Sequence, residues 1–113
     1  MDIKKEVLAY IAKNAGTSFV ELERLFERQH YDYRGDKHFT VAGYDNVWLW
    51  AGWNSAAFDI IAELMNEKSI KTTETTTLLY VVDGKGLDLP LVKQARDYRE
   101  PHWLPVTFSV NKK

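Results

Sequence analysis

The stretch from Asn46 to Lys68, N-V-W-L-W-A-G-W-N-S-A-A-F-D-I-I-A-E-L-M-N-E-K, leaves the chain few choices. Val47 to Trp50 is apolar on both faces, which marks a covered strand rather than a half-exposed one. Gly52 breaks that run, and Asn54 or Ser55 caps the helix that follows. Ala57, Phe58, Ile61, Leu64 and Met65 recur at helical spacing and form its inward stripe. Three of the four tryptophans fall here. The stretch is therefore the structural centre, with Val47, Leu49, Phe58, Ile61 and Leu64 as core.

A chain of 113 residues reads as one domain, residues 1–113, large enough to bury a real core. A hydrophobic content of 45% fits a globular protein. The net charge of -1 provides no global field for nucleic acid or acidic membrane, so any basic surface must be local. The absence of cysteine removes disulfides, thiol nucleophiles and thiolate-bound zinc, and suits a reducing, cytoplasmic setting. The apolar run after M-D-I-K-K-E is too short for a signal peptide, and no stretch approaches a membrane span.

Ile3, Val7, Leu8, Tyr10 and Ile11 share one face of a first helix that stops at Asn14-Ala15-Gly16. Ser18 with Glu21 forms a capping-box pattern, and Phe19, Leu22, Leu25 and Phe26 give a second helix its buried stripe. Gln29 to Asp45 reads as a long irregular segment in which Phe39 to Val41 alone suits a short strand. Its aromatics tack it to the core, and His30, Tyr31, Tyr33, Arg34, Lys37 and His38 are also types that suit a binding surface. Ile70 to Val82 is β-branched and aromatic, hence strand, but too long for one. A reversal is expected near Glu74-Thr75, or at Asp83-Gly84, where the turn chemistry is stronger. Pro90 then opens a short helix carrying Leu91, Val92, Ala95 and Tyr98, which ends before Pro101. Leu104, Val106, Phe108 and Val110 alternate with polar residues, and Pro105 makes that last strand an edge.

The order helix, helix, strand, helix, strand, strand over about Asp2 to Val82 resembles the winged helix-turn-helix superfamily. The resemblance also rests on T-S-F-V-E-L-E-R-L-F and on the N-x-x-A-x-x-x-I-x-x-L-M stripe after the strand. The fold class expected is thus α+β, a winged helix-turn-helix with a C-terminal short helix and edge strand; that tail is outside the superfamily's common pattern. The resemblance implies a DNA-binding protein whose third helix, Asn54 to Glu67, enters the major groove. Its wing, about Lys71 to Thr77, would touch phosphates.

Charge speaks against the third helix as a groove reader. Asp59, Glu63 and Glu67 align on its outward side, where carboxylates oppose the DNA backbone. Its N-terminal end, Trp53, Asn54 and Ser55, remains a candidate for base contact. Phosphate contacts are assigned to Lys68 and Lys71 at the wing and to Lys93, Arg96 and Arg99, spaced for one side of the late helix. Lys85, Arg34, Lys37, Lys112 and Lys113 are further cations. His30, Asp32, Asp36 and His38 are the one local cluster of metal-ligand types, and loop solvation explains them better. No cofactor motif and no catalytic constellation can be named, so no enzyme is expected. Two functions remain: a small regulatory protein that binds duplex DNA, alone or as a homodimer, or a module that binds protein through the aromatic loop and Trp53 or Trp103.

Overall fold

The computed structural model describes residues 2–94 and 96–111. Expectations that fell on Ala95, Lys112 and Lys113 lie outside the described residues. The chain is mixed α+β, with four helices and five strands in two sheets among the described residues.

The helices α1 (Ile3–Lys13) and α2 (Phe19–Arg28) form where periodicity and caps require them. Ser18 Oγ accepts the Glu21 N–H at 3.1 Å while Glu21 Oε2 accepts the Ser18 N–H at 2.9 Å, so both ends of the capping box are made. Val7 and Ile11 of α1 and Phe19, Leu22, Leu25 and Phe26 of α2 are buried.

The segment read as irregular is instead a strand, β1 (Arg34–Val41). It turns at Ala42-Gly43 and pairs antiparallel with β2 (Tyr44–Trp53), the strand expected at Val47–Trp50 grown at both ends. Pattern alone conceals β1 because its first five residues are exposed, so no apolar alternation announces it. Backbone pairing to β2 forms it all the same. Two glycines shape this hairpin. A Cβ on Gly35 would stand 2.6–2.8 Å from backbone atoms of Trp53 and Asn54, so only glycine lets the strands approach there. Gly52, at φ 94°, sits between Trp50 and Trp53. Residues three apart on a regular strand face opposite sides, yet both these indoles reach one carboxylate oxygen, so β2 bends at this glycine.

Helix α3 (Ser55–Asn66) follows with Asn54 as its N-cap and Ala57, Phe58, Ile60, Ile61 and Leu64 buried, which agrees with the expected third helix. Beyond it the structure departs from the expected order. β3 (Ile70–Glu74) is a single strand, and no hairpin follows it. Its partner is β5 (Val106–Val110), antiparallel from Ile70↔Val110 to Glu74↔Val106. The expected wing at Lys71–Thr77 is therefore not formed. Thr72 to Thr77 holds no turn-forming residue, and the Thr75 N–H bonds to the Pro105 carbonyl.

Residues read as a second strand are helix α4 (Thr77–Asp83), with Gly84 as a left-handed C-cap at φ 93°. The Asp83-Gly84 turn chemistry thus ends a helix rather than reversing a strand. β-branched propensity loses here to one tertiary anchor: fully buried Tyr80 donates its hydroxyl to the Val106 carbonyl at 2.6 Å and accepts the Phe19 N–H.

The helix expected from Pro90 is absent as well. Its backbone is engaged elsewhere: Val92 N–H bonds to the Trp103 carbonyl and Trp103 N–H to the Pro90 carbonyl. β4 (His102–Trp103) pairs parallel with β2 through Val47↔His102 and Trp48↔Trp103, giving the sheet order β1-β2-β4. β5 has the expected buried Val106 and Phe108, but it is flanked on both sides, by β3 and by a bridge to Thr17. The Thr17 carbonyl accepts the Phe108 N–H at 2.8 Å, and Phe108's carbonyl accepts N–H groups of Gly16 and Thr17, so β5 straps the α1–α2 turn.

The core is aromatic and centred on Phe19. Its ring stacks on Trp50 at 5.6 Å and meets Trp53 and Phe108 edge-on at 5.5 and 4.9 Å, joining the two sheets.

Candidate functional site

The residues expected to read DNA are not gathered into one surface. Trp53 is fully buried and its indole N–H is bonded to Glu23, so it contacts nothing outside the core. Asn54 is occupied by its cap: Oδ1 accepts the Ala57 N–H at 2.8 Å and Nδ2 donates to the Asp32 carbonyl at 2.9 Å. Ser55 is exposed beside it. Of the three acids on α3, Glu63 and Glu67 both bind Lys4 of α1, so α1 covers part of the face a groove reader would present. Bonding to Glu67 foremost raises the Lys4 ammonium pKa, against a smaller desolvation effect.

Lys93, Arg96 and Arg99 are exposed on the loop before β4. Tyr98 organises that loop. Its hydroxyl accepts the N–H groups of Lys93 and Gln94 at 3.1 Å each and donates to the Gln94 carbonyl. These N–H groups, Gln94's first, hold the Tyr98 pKa below the ordinary tyrosine value. The Tyr98 ring lies 3.8 Å from that of His102 in a stack, with the Arg96 guanidinium 4.8 Å from its centroid. Asn46 fastens the loop to β2 by donating Nδ2 to the Tyr98 carbonyl at 2.6 Å and its N–H to Asp97.

Lys93 and Arg96 border Tyr44 and Val41, at the turn of the β1–β2 hairpin. Asn54 and Ser55 follow Trp53, at its open end. At about 3.3 Å per residue the two groups are roughly 25–30 Å apart. Lys71 lies early in β3, about 10 Å along the strand from Glu74, which borders Lys93 and Arg96, and Lys68 precedes the strand. Lys68 also terminates α3 in the left-handed conformation, at φ 61°.

Two adjoining hollows open along the seam between the sheets. One, of about 460 Å³, is lined by Phe39, Leu49, Ala62, Met65 and Val106, among others. The other, of about 330 Å³, runs toward Val92, Lys93 and Arg96. Val41, Glu74 and Leu104 line both, so the two are halves of one groove of mixed lining, with Glu74 at its middle and Lys93, Gln94 and Arg96 at one end.

On the opposite side of β2 lies a feature the sequence reading missed. Leu78, Val81 and Val82 of α4 are 66%, 70% and 76% exposed. Their i, i+3, i+4 spacing puts three aliphatic side chains on one outward ridge. Behind the ridge, Glu23 is buried, with Oε2 accepting the indole N–H groups of Trp50 and Trp53 at 2.9 Å each. Its Oε1 binds Lys85 Nζ at 2.9 Å. Arg24 donates to the Asp83 carbonyl, and Asp83 Oδ2 accepts the Ser18 hydroxyl at 2.6 Å. α4 is thus held from its inner face and both sides of its C-terminal end.

No family model matches this chain, and neither does any curated protein or solved structure.

Burial raises the pKa of the Tyr33 and Tyr80 hydroxyls well above the ordinary tyrosine value, and a bond to Glu27 adds to it at Tyr33. Neither is exposed to act as an acid or base. Among the described residues no three His, Asp or Glu side chains are grouped to hold a metal ion. His38 instead stacks on Trp48 at 4.0 Å. No helix among those residues is long and apolar enough to cross a membrane.

Signals for the missed features were in the sequence. Leu78, Val81 and Val82 stand at helical spacing ahead of a glycine stop, and Glu23 lies four residues after Phe19 and three before Phe26, within α2's apolar stripe.

Proposed function

We propose that this chain is a non-enzymatic protein-interaction module that docks through the α4 ridge. The observation that carries this reading is the exposure of Leu78, Val81 and Val82 together on one helical face. Single exposed aliphatics are ordinary, but three in register form the anchor pattern of a helix laid into an apolar groove. The scaffold supports the same role, because Tyr80, Lys85 and Arg24 fix the helix before any partner arrives. A preorganised ridge loses little conformational entropy on docking. The matching partner presents an apolar groove to Leu78, Val81 and Val82. This reading displaces the aromatic loop and Trp53 as the docking surface, since Trp53 and Tyr33 are buried.

The test is a photo-crosslinking residue placed at Val82 in the cells that make the protein, with Lys13 on α1 as control position. A captured protein is then purified and titrated against wild type and Val81→Asp. Binding weakened at least tenfold in the variant is expected. Crosslinking at 82 no stronger than at 13 refutes docking through α4.

A second reading is supported by the loop before β4. Lys93, Arg96 and Arg99 project from a segment pinned by Tyr98 and Asn46, beside the Tyr98–His102 stack. Such a mix suits nucleic-acid phosphate and bases, though Asp97, Glu100 and Glu74 stand close by. Duplex DNA binding through three phosphates would fall with salt at a log–log slope of about -2.7. It would vanish in the Lys93→Ala/Arg96→Ala/Arg99→Ala variant. A Kd no tighter than about 10⁻⁴ M at low salt removes this reading. The winged-helix resemblance keeps its three helices in order, but the β1–β2 hairpin between α2 and α3, where one strand was expected, and the replacement of its wing by the β3–β5 pair count against it. The cytoplasmic setting suited to a chain without cysteine carries over into both readings.

A further inference from the structure

The inter-sheet groove carries its charges in a fixed order. Lys93 and Arg96 line the end near the β1–β2 turn, and Glu74 stands at the middle. Beyond Glu74 the lining holds no further charge among the described residues, and Phe39, Leu49, Met65 and Val106 make that half apolar.

The three charges are mounted on held backbone. Glu74 ends β3 opposite Val106, and the next N–H, that of Thr75, bonds to the Pro105 carbonyl. Tyr98 sets both cations: its hydroxyl accepts the Lys93 N–H at 3.1 Å, and its ring lies 4.8 Å from the Arg96 guanidinium. Asp97, beside Arg96 in sequence, is taken up by the N–H groups of Asn46 and Tyr98. Among the described residues Glu74, Lys93 and Arg96 make no ion pair with one another or with any other group. Yet all three border one hollow of about 330 Å³, at the small end of the roughly 300–1,000 Å³ of ligand sites, so one small molecule reaches them together.

Uncompensated charge of both signs followed by an apolar recess matches a ligand whose groups run anion, cation, apolar body. We propose that the groove binds a free α-amino acid with a large apolar side chain. Its carboxylate lies against Lys93 and Arg96, the neighbouring ammonium meets Glu74, and the side chain fills the half lined by Phe39, Leu49 and Met65. A plain apolar carboxylate would leave Glu74 unanswered, and a plain amine would leave both cations so. Leu49 lines this groove while the next residue, Trp50, packs on Tyr80 of α4 at 5.3 Å, so site and ridge lie on opposite sides of β2. The two readings therefore stand or fall separately.

Chemical-shift titration of the isotope-labelled full chain with L-phenylalanine tests this. A ligand of that size in an open groove binds with a Kd on the order of 1 mM. Amide shifts at Val41, Leu49, Glu74 and Leu104 should saturate on that scale while those of α4 stay still. Phenylpropanoate, which lacks the ammonium, and phenethylamine, which lacks the carboxylate, should each bind about fivefold more weakly, the upper worth of an exposed ion pair. Glu74→Gln should weaken L-phenylalanine by the same factor and leave phenylpropanoate no weaker. Lys93→Ala/Arg96→Ala should weaken L-phenylalanine and leave phenethylamine no weaker. All three positions are exposed, and resonances away from the groove check the fold of each variant.

No saturable shift by about 20 mM L-phenylalanine, far above the expected Kd, overturns the site. Phenylpropanoate binding as tightly as L-phenylalanine removes the ammonium contact and overturns an amino acid as the ligand. Shifts confined to residues outside the groove overturn its location. None of these results bears on docking through α4, which the crosslinking at Val82 tests.

Discussion

Removing the Glu23 carboxylate should cost this protein a large part of its stability. Glu23→Ala strips the acceptor from two indole N–H groups whose rings, Trp50 and Trp53, are fully buried. A buried donor left without a partner costs about 1–3 kcal/mol, so the pair contributes roughly 2–6 kcal/mol. The ion pair adds less, because the Lys85 side chain is 52% exposed and its ammonium returns to water; about 1 kcal/mol is an upper figure. The sum centres near 4 kcal/mol, a large share of the roughly 5–15 kcal/mol that holds a domain together. Glu23→Gln separates the two contributions. Its amide oxygen can take the place of Oε2 and accept both indoles, so the loss should be only about 1–2 kcal/mol, from the charge and the Lys85 pair. Urea unfolding monitored by circular dichroism measures both variants. The midpoint should move while the slope stays constant, since the surface exposed on unfolding is unchanged. Glu23→Ala costing less than about 1 kcal/mol, or as little as Glu23→Gln, would show that the indole bonds do not hold this core.

Three further outcomes can be checked on the same preparation. Stability should fall above about pH 10, where tyrosines of the unfolded chain ionise. Tyr33 and Tyr80 stay protonated in the fold because burial raises their pKa, so the unfolded state binds fewer protons there and is favoured as pH rises. Urea midpoints at pH 8 and pH 11 read this, with no decline expected in Tyr80→Phe from that residue's share. Gly35→Ala should destabilise by at least about 1–3 kcal/mol, because its methyl meets Trp53 and Asn54 backbone that no side-chain rotation relieves; a thermal melt unchanged within error would contradict the close approach. Lys68→Gly should instead stabilise by up to about 1 kcal/mol, since a left-handed residue at φ 61° strains any side chain, and a lower melting temperature would assign Lys68 a structural contact.

What could be read from the sequence follows from which forces are local. Ser18, Glu21 and Asn54 state their caps within four residues, and α1, α2 and α3 carry apolar stripes dense enough to settle both type and core. β1 could not be read that way, because an exposed polar strand is specified by its partner's backbone rather than by its own pattern. α4 was hidden for the opposite reason. Its Thr77, Val81 and Val82 favour extended chain, and what overrides them is a Tyr80 hydroxyl bond to Val106, supplied from the far end of the chain. The segment from Pro90 has helical spacing, yet Trp103 takes its backbone hydrogen bonds. Loss of that helix turned an expected row of cations into a loop in which Lys93, Arg96 and Arg99 stay near one another for a different reason, the Tyr98 hydroxyl. Trp53 was misjudged because period-two logic fails at Gly52; the bend there carries an indole inward that a regular strand would have sent out.

The strap formed by β5 also sets a timetable for folding. Among the described residues β3 finds its only strand partner in residues 106–110, the α1–α2 turn is tied to Phe108, and Trp48 waits for Trp103. Contacts this distant in sequence slow the search for the native state. During vectorial synthesis, helices α1 to α3 and the β1–β2 hairpin leave the ribosome while β4 and β5 are still unmade. Until residue 110 has emerged, β3 is an open edge and the aromatic core lacks Phe108 and Trp103. The interval is one in which aggregation competes with folding, and it closes only when the final strand arrives.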